Sequence, residues 1–443
     1  MAEQMKPSGI DWIKDIPSSW EINKVKYLAT EPGTLFLDGD WIESDVIEES
    51  GIRYLTTGNV GAGFYKEQGS GYISEKTFSE LHCLNVYPGD LMISRLNEPI
   101  GRSCIIPDTE SRYVVAVDNV VLRPNANYNK KFIMYGMNAD GYAEHANMIA
   151  RGATMSRISR SQLGQFWLAF PNIEEQQAIA DFLDKECAQI DSIAADLEKQ
   201  IALLQQYKKS LITETVTKGL DKSVPMKDSG VEFFGKIPAH WKVSKTKYVA
   251  DISIGLVTTM TANYVDEDGV PLIRNSNIRT NHIDDNGMVY LSKEFAKANI
   301  GRALHKGDIV TVHTGDVGTS AIINETYHMS HGFATIISRL KTKTVNNQFL
   351  CWLYNSEIFK EMSIAYSTGD GRQNLNLYDF VDFYILIPTL KEQMEIVNWL
   401  NLKCTEIDNF IENKQQQLLL IQQHKKSLIY EYVTGKKRVK EVQ

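Results

Sequence analysis

Three features of this sequence have residue types that could carry chemistry: a histidine pair, a glycine-rich stretch and two aspartates in turns. His328 and His331 are three residues apart, a spacing found among zinc ligands, but no third ligand accompanies them at a metal-type spacing. Residues 58–63 read G-x-x-G-x-G, which is not the spacing of a dinucleotide-binding loop, and no long helix follows them. The pattern therefore predicts surface histidines and a turn, with no metal site and no cofactor.

Asp90 and Asp308 each follow a glycine, and a carboxylate in such a turn could serve acid–base catalysis. A turn aspartate more commonly accepts a hydrogen bond from its own backbone, and that is the interpretation we favour. The sequence has no G-x-x-x-x-G-K-S/T loop for ATP phosphates. It also lacks the N-P-P-Y/F or D-P-P-Y/F tetrapeptide with which amino-methyltransferases hold their target amine. We therefore predict no catalytic residues in this chain.

The elements that position these residues occur twice in the chain. Residues 171–219 and 388–436 share 20 of 49 identities at a constant offset of 217, without a gap. A leading segment with the pattern I-P-x-x-W, within residues 8–30, recurs in residues 229–251. The sequence is therefore an internal duplication that covers the whole chain.

Each copy of the longer repeat predicts one long helix. The first opens with the capping pattern N-x-x-E at 172–175 and the second with T-x-x-E at 389–392. Apolar residues then recur about every 3.5 residues, which is typical of a coiled-coil seam. The predicted seam residues are Ile190, Leu197, Ile201, Leu204 and Leu211 in the first helix and Ile407, Ile411, Leu418, Ile421 and Leu428 in the second. Two such stripes in one chain can bury each other, so we predict an intramolecular helix pair that acts as a spacer.

The region before each helix has short, β-branched apolar runs bounded by Gly, Pro and Asn, which predicts strands. The apolar runs match between the copies, but the polar stretches at their ends differ. T-G-N at 57–59 aligns with N-S-N at 275–277, R-L-N-E at 95–98 with H-T-G-D at 313–316, and R-G-A-T-M-S-R at 151–157 with T-G-D-G-R-Q-N at 368–374. A duplicated enzyme would keep its catalytic residues in at least one copy, whereas a duplicated recognition protein gains from divergent loops. We therefore predict two different recognition surfaces on one fold.

Composition sets the broad class of the protein. The 443 residues are 43% hydrophobic and 23% charged, which indicates folded domains with a substantial core. The net charge of −8 neither requires nor rules out nucleic-acid binding, because a basic site can be a local patch. Five cysteines without a C-x-x-C pattern favour a reducing, cytoplasmic setting. No apolar run is long enough for a membrane span, and the amino terminus does not read as a signal peptide.

The duplicated helices, the I-P-x-x-W segments, the matched G-D-L/I turns and the E-Q-x-x-I helix starts together closely resemble the specificity subunit of type I restriction-modification systems. The resemblance covers nearly the full length. It implies two target-recognition domains, each reading one half of a split DNA sequence. It also implies that residues 152–158 and 369–375 correspond to a family G-x-x-x-x-N-I stretch, in which Arg157 here occupies the position of Asn374 in the second copy.

The same resemblance implies the partners. They are double-stranded DNA, two modification subunits that supply the methyl donor and the adenine chemistry, and motor-nuclease restriction subunits that cut. The specificity subunit itself is non-catalytic, carries no cofactor and is not attached to a membrane. The absence of a P-loop and of N-P-P-Y in this sequence is consistent with that division of labour.

The predicted fold class is α+β, with two mixed, strand-rich target-recognition domains separated by two long helices that form an antiparallel intramolecular coiled coil. The first target-recognition domain is assigned to residues 1–170 and the first helical region to residues 171–219. The linker and the second target-recognition domain are assigned to residues 220–387, and the second helical region with the tail to residues 388–443. We expect the helices to fix the distance between the two half-sites.

Under this interpretation the divergent loops read DNA, because Arg suits guanine edges and Asn or Gln suits adenine edges. The candidate DNA-binding residues are Thr57, Asn59, Arg95, Asn97, Arg151, Thr154 and Arg157 in the first copy and Arg274, Asn275, Asn277, His313, Thr314, Arg372, Gln373 and Asn374 in the second. Two alternatives stay open from the sequence alone. One is a coiled-coil adaptor that binds proteins without reading DNA, and the other is an enzyme with a cryptic site.

Overall fold

A computed structural model describes residues 4–69, 71–150, 156–258, 260–266, 268–369 and 371–439. The chain divides into two compact units. Unit 1 comprises Met1–Leu197 and Gln416–Gln443, and unit 2 comprises Glu198–Gln415. Each unit therefore contains one strand-rich body and segments of both long helices.

The body of unit 1 is built from short strands and four short helices. Its strands are β1 (Met5–Pro7), β2 (Asp15–Pro17), β3 (Glu21–Lys24), β4 (Leu35–Asp38), β5 (Ile52–Leu55), β6 (Tyr72–Ile73), β7 (Leu91–Ser94), β8 (Ser103–Ile105), β9 (Tyr113–Val115), β10 (Asn119–Arg123) and β11 (Trp167–Phe170). Its helices are α1 (Glu75–Glu80), α2 (Lys130–Met137), α3 (Asp140–Ile149) and α4 (Arg160–Leu163), followed by the long helix α5 (Ile173–Lys218), which continues into unit 2.

The body of unit 2 repeats this arrangement with additional short strands. Its strands are β12 (Met226–Asp228), β13 (Lys236–Pro238), β14 (Lys242–Lys245), β15 (Ala250–Ile254), β16 (Tyr264–Val265), β17 (Val270–Arg274), β18 (Ile278–Arg279), β19 (His282–Ile283), β20 (Val289–Leu291), β21 (Ile309–Val312), β22 (Ser320–Ile322), β23 (His331–Phe333), β24 (Thr335–Leu340), β25 (Ser367–Thr368), β26 (Asn374–Leu375) and β27 (Tyr384–Ile387). Its helices are α6 (Thr246–Val249), α7 (Lys293–Ala298), α8 (Asn347–Tyr354), α9 (Glu357–Ala365) and α10 (Leu377–Phe380), followed by the long helix α11 (Leu390–Val433), which ends in unit 1.

The two bodies share one sheet topology. An antiparallel four-stranded sheet has the order β4-β10-β7-β8 in unit 1 and β15-β24-β21-β22 in unit 2. A second sheet contains a parallel pair in each unit, β5 with β9 and β17 with β23. The strands before and after each body also pair, β3 with β11 and β14 with β27. The sequence duplication is thus a duplication of one fold.

Within each unit the segments of α5 and α11 pack in opposite directions. In unit 1, Lys425 Nζ lies 2.6 Å from Asp191 Oδ1, and the rings of Phe182 and Tyr432 are 4.6 Å apart. In unit 2, Lys208 Nζ lies 2.6 Å from Asp408 Oδ1. Residue numbers rise along α5 as they fall along α11, so the pairing is antiparallel. The predicted seam residues are all buried or half-buried: Ile190, Leu197, Ile201, Leu204, Leu211, Ile407, Ile411, Leu418, Ile421 and Leu428.

The end of each long helix is fastened to the leading segment of a body. In unit 1, Trp20 is fully buried, and the Nζ of Lys436 donates to the carbonyls of Ile13 and Asp15. In unit 2, Trp241 is fully buried, and the Nζ of Lys218 donates to the carbonyls of Phe234 and Lys236. The I-P-x-x-W segments are therefore packing anchors that lock each body onto a helix end.

Candidate nucleic-acid interface

Three loops meet at one end of the strands in unit 1, and we call this region the tip of unit 1. They are the turn after β5, the loop between β7 and β8, and the stretch before α4. Leu96 and Arg157 form a β-bridge, and the N–H of Asn97 donates to the carbonyl of Ser156 at 3.1 Å. The residues just before α4 therefore pair with the loop between β7 and β8 through backbone hydrogen bonds.

The tip of unit 2 has the same backbone frame. Thr314 and Asn374 form the corresponding β-bridge, and the N–H of Gly315 donates to the carbonyl of Gln373 at 3.0 Å. The Nδ2 of Asn275 donates to the carbonyl of Thr314 at 3.4 Å, which links the turn after β17 to the same loop. The candidate residues that are distant in sequence are thus adjacent in both tips.

One pair of candidate asparagines shapes the turns from inside. Asn59 is buried and donates from Nδ2 to the carbonyls of Lys66 and Gln68, at 3.0 and 2.9 Å. Asn277 is also buried and donates from Nδ2 to the carbonyls of Asp284 and Asn286, at 2.9 and 3.3 Å. Because both N–H groups of each amide are occupied, these side chains hold the loops in shape and do not face solvent.

Arg95 has a similar internal position. Its side chain is buried and donates to the carbonyls of Ile158 and Val117, at 3.1 and 2.6 Å. Its Nε lies 3.1 Å from Asp38 Oδ1, an ion-pair distance at which the two atoms are not aligned for a hydrogen bond. Burial lowers the pKa of Arg95, and the Asp38 charge opposes that change. This arginine fastens the stretch before α4 to the main sheet.

The corresponding residue in unit 2 is His313, which is half-buried. Its Nδ1 lies 3.1 Å from Asn374 Oδ1. Burial lowers the pKa of His313, and the hydrogen bond with Asn374 opposes that change. Its Nε2 is buried without a hydrogen-bond partner among the described residues. Asn374 is thus held by the His313 ring at the tip of unit 2.

The remaining candidates are more accessible. Asn97, Arg157, Arg372 and Asn374 are exposed, and Thr57, Arg274, Asn275, Thr314 and Gln373 are half-buried. Arg157 is partly engaged, because its Nη2 lies 2.7 Å from Asp118 Oδ1. Arg274 donates to the carbonyl of Gly287. Arg151 and Thr154 lie outside the described residues.

The tip of unit 2 lines an open cavity with a volume of about 510 Å³. It is lined by Asn275, Ser276, Ile278, Arg279, Thr280, Val312, Thr314, Asp316, Thr319 and Arg372. Ser276, Arg279, Thr280 and Thr319 were not among the sequence candidates. Burial opposes ionisation of Asp316, but hydrogen bonds from Thr319 and Lys360 outweigh it and lower its pKa. The cavity therefore presents donors of several kinds and one carboxylate acceptor.

Arg102 is the residue of the unit 1 tip that sequence reasoning missed. It donates to the carbonyls of Val60 and Thr57 at 2.8 and 3.0 Å, and to those of Leu96 and Asn97 at 3.1 and 2.9 Å. One guanidinium thus joins the turn after β5 to the loop after β7. The only signal in the sequence is that the matching position in the second copy is a threonine, Thr319, which shows that the two tips are built differently.

The other groups considered for chemistry have structural partners. Asp90 accepts from the N–H of Tyr87 at 3.0 Å and from Arg123 at 2.6 Å, and Asp308 accepts from the N–H of His305 at 2.8 Å and from Arg339 at 2.6 Å. The prediction of surface histidines is wrong for His331, which is buried with Nε2 3.2 Å from the carbonyl of Ala296, whereas His328 is exposed. Within the described residues, no group of three or more His, Cys, Asp or Glu side chains could hold a metal ion.

A search of the described helices for a membrane-spanning segment found none that is sufficiently long and apolar.

Comparison with known proteins identifies the family. The model of the type I restriction modification DNA specificity domain matches residues 20–203 and again residues 238–423. The specificity subunit of the type I restriction enzyme EcoBI from Escherichia coli is 26% identical over 275 residues, which are 61% of this chain and 58% of that protein. The putative MjaX specificity subunit of Methanocaldococcus jannaschii is 26% identical over 378 residues, 84% of this chain and 83% of its own length.

Two solved structures share the fold. A chain from a structure of the type I R-M system gives a TM-score of 0.72 at 12% identity, covering 95% of this chain and 99% of that one. The HsdS subunit from Thermoanaerobacter tengcongensis gives 0.53 at 12% identity, covering 95% and 98%. These likenesses confirm the predicted α+β fold with its tandem duplication. Since the family model matches both copies and most of the chain, the protein belongs to the type I restriction modification DNA specificity domain family.

Proposed function

We propose that this protein is the DNA-recognition subunit of a type I restriction-modification complex. Each unit reads one half of a bipartite DNA target, and the subunit directs partner subunits to methylate adenine or to cleave DNA. The observation that carries the proposal is the pair of tips, which have one backbone frame and different side chains. A shared frame suits one mode of docking, and different side chains suit two different half-sites.

The reading residues are the accessible members of each tip. They are Thr57, Asn97 and Arg157 in unit 1 and Asn275, Thr314, Arg372, Gln373 and Asn374 in unit 2. Arginine donates in bidentate fashion to guanine, and Asn or Gln pairs with adenine in the major groove. Asn59, Asn277 and Arg95 stabilise the loops of the tips and do not read bases, because their side chains donate to backbone carbonyls.

The paired helices α5 and α11 determine the spacing of the DNA target. α5 has 46 residues and is about 69 Å long at about 1.5 Å per residue. Ion pairs at matched positions, Lys208 with Asp408 and Lys425 with Asp191, support a fixed register along it. We propose that the helices set the distance between half-sites and that the bases between them are not read.

The protein acts with partners and is not itself a catalyst. The relatives that it matches are named specificity subunits of type I restriction enzymes. We propose that two modification subunits bind, one for each copy of the duplicated fold, and that restriction subunits join the complex. The modification subunits supply the methyl donor, so this chain contributes recognition and geometry.

The proposal is tested by selecting bound duplexes from a randomised DNA library with the chain purified together with its modification subunits. We expect two short preferred blocks separated by a gap of fixed length without base preference. Binding should weaken steeply with salt, because contacts to phosphates release counterions. Equal binding of all sequences, or one uninterrupted block, would reject the proposal.

A further inference from the structure

Five charged side chains lie together at the tip of unit 1, and we call them the charged cluster. They are Arg95, Arg157, Arg160, Asp38 and Asp118. Asp118 Oδ1 lies 2.7 Å from Arg157 Nη2 and 3.8 Å from Arg95 Nη2. Asp38 bridges the other two arginines, with Oδ1 3.1 Å from Arg95 Nε and Oδ2 3.4 Å from Arg160 Nε. Three guanidinium groups and two carboxylates leave one net positive charge beside the loops.

The members of the charged cluster differ in their access to solvent. The Arg95 side chain is 7% exposed and donates to the carbonyls of Ile158 and Val117, so it is committed to the interior. The Arg157 side chain is 53% exposed. Asp118 Oδ1 accepts no hydrogen bond from the described residues, so its contact with Arg157 is an ion pair that commits no N–H group. The Arg157 guanidinium is therefore held by a charge while its donors stay available to a ligand.

Unit 2 builds the same backbone frame without these charges. Both tips have the β-bridge to the strand-end loop, and a short helix follows it in each. The strands that pair with β10 and β24 end at equivalent positions. The unit 2 residues at the cluster positions are His313 for Arg95, Asn374 for Arg157, Leu377 for Arg160 and Ile254 for Asp38. The frame of a tip therefore does not depend on the charged cluster.

Asp118 is an additional residue of unit 1. In each unit a glycine after β4 or β15 donates from its N–H to the carbonyl of Asn119 or Thr335. The carbonyl of the residue after that glycine accepts from the N–H of Val117 or Ala334. Ala334 and Thr335 are adjacent in unit 2, whereas Asp118 separates Val117 from Asn119 in unit 1. Since the same hydrogen bonds form without it, the shared fold does not require this aspartate.

The pair of Arg157 and Asp118 suits a base edge better than a phosphate. The Asp118 carboxylate lies 2.7 Å from Arg157 Nη2 and repels a phosphate that approaches the same guanidinium. The guanine edge in the major groove is uncharged and has two acceptors, O6 and N7, which match two N–H groups of one guanidinium. An arginine that is already held in place also loses less side-chain freedom on binding.

We propose that Arg157 reads a guanine in the half-site of unit 1 and that Asp118 is the residue that positions its guanidinium for that base. This inference rests on the proposed function and adds to it the base and the positioning residue. Unit 2 has Asn374 at the equivalent position and no matching aspartate, so it reads a different base there. The amide of an asparagine suits adenine.

The test measures binding of the chain, purified with its modification subunits, to duplexes of its preferred sequence. Each guanine is replaced in turn by 7-deazaguanine, which lacks the N7 acceptor but keeps O6 and base pairing. Wild type should bind roughly 10-fold more weakly when one guanine of one half-site is replaced, because a hydrogen bond from a charged donor is lost. Arg157→Ala should bind both duplexes equally. Arg157→Lys should lose most of the difference, since an ammonium lacks the bidentate fork.

Asp118→Asn tests the positioning role, because it keeps the size of the side chain and removes its charge. It should reduce the difference between guanine and 7-deazaguanine to about 3-fold or less. Its affinity for unrelated DNA should not fall, since a negative charge near phosphates is removed. A purely structural role would weaken binding to every sequence. The half-site of unit 2 is the internal control for folding, and Arg112→Ala, which removes an arginine paired with Glu75 outside the tip loops, should keep the full difference.

The outcomes separate this inference from the proposed function. If Arg157→Ala weakens binding to all duplexes by one factor, or if no guanine is sensitive in wild type, Arg157 does not read guanine and the proposed function stands. Unchanged discrimination in Asp118→Asn would show that Asp118 does not position Arg157. If wild type has no preferred two-part sequence, the proposed function fails together with the inference.

Discussion

Side chains at the tips have two roles that follow from their hydrogen bonds. Asn59 and Asn277 donate inward and fix the turns, whereas Asn97 and Arg372 lie exposed beside the same loops. A residue type suited to DNA reading is therefore insufficient evidence of reading. The donors must also be free of backbone carbonyls, a condition that the accessible Asn275 meets only in part, because its Nδ2 donates to the carbonyl of Thr314.

Substitution of Arg372 by alanine tests the reading role in unit 2. We expect the preferred sequence of one half-site to relax, with a loss of about 1–3 kcal/mol of discrimination at one base pair, because a bidentate contact is removed. Selection from a randomised library measures this, and the other half-site is the internal control. An unchanged preference would remove Arg372 from the reading set.

Arg102 tests the supporting role in unit 1. Arg102→Ala removes hydrogen bonds to five backbone carbonyls and should abolish preference at the half-site of unit 1 while that of unit 2 persists. Arg102→Lys should also fail, because one ammonium cannot reach both loops in the geometry of a guanidinium. Thermal unfolding of both variants shows whether the effect is local. Retention of the unit 1 half-site in Arg102→Ala would contradict this role.

At the scale of elements, the sequence predicted what is periodic and local. The long helices and their seam follow from a spacing of about 3.5 residues, and the strands follow from short β-branched runs. The inward orientation of the Asn59 side chain could not be predicted. The carbonyls of Lys66 and Gln68, which accept its hydrogen bonds, come close to it only in the folded turn. Arg102 was missed for the same reason, since its carbonyl partners come from two separate loops.

The ion pair between Lys208 of α5 and Asp408 of α11 should contribute a measurable free energy to stability. Lys208→Glu should destabilise the protein by up to about 1 kcal/mol, because it places two carboxylates at one level of the helices and both side chains are partly exposed. The double variant Lys208→Glu with Asp408→Lys should recover most of this loss. Urea unfolding measures both. Equal destabilisation with and without the second change would show that the pair contributes nothing to pairing.

The start of α11 predicts a pH dependence. Burial opposes ionisation of Glu392, but hydrogen bonds from Thr389, His240 and Trp241 outweigh it and hold its pKa at about 2, below the ordinary value of 4.5. A depressed pKa contributes stability that is present above pH 4.5 and is lost as the pH falls towards 2. The stability difference between wild type and Glu392→Gln should therefore shrink over this range in acid unfolding. A constant difference would contradict the assignment.

At the scale of the whole molecule, one fold is used twice with shared supports and different tips. The long helices end at equivalent anchors, and Lys218 and Lys436 donate to matching carbonyls of the leading segments. The duplication was readable from the sequence because identities persist at one offset of 217 between residues 171–219 and 388–436.

If the helices set the distance between the half-sites, lengthening them should lengthen the gap in the DNA target. Insertion of one heptad into α5 and one into α11 at the same level keeps the seam in phase and adds about 10 Å. At about 3.4 Å per base pair, the gap between half-sites should grow by about three base pairs, with both half-site sequences retained. Library selection reads the spacing directly. An unaltered gap between the half-sites in a folded variant would contradict the proposal that the helices set this distance.

The most direct test of the central claim is modified-base sequencing of genomic DNA from the source cell, with and without the gene for this chain. The account predicts that adenine methylation is lost in the deletion at a two-part motif whose intervening bases are unread. The motif would give both half-sites at once. Unchanged methylation, or loss at a motif without a gap, would contradict the claim that each unit reads one half of a split target.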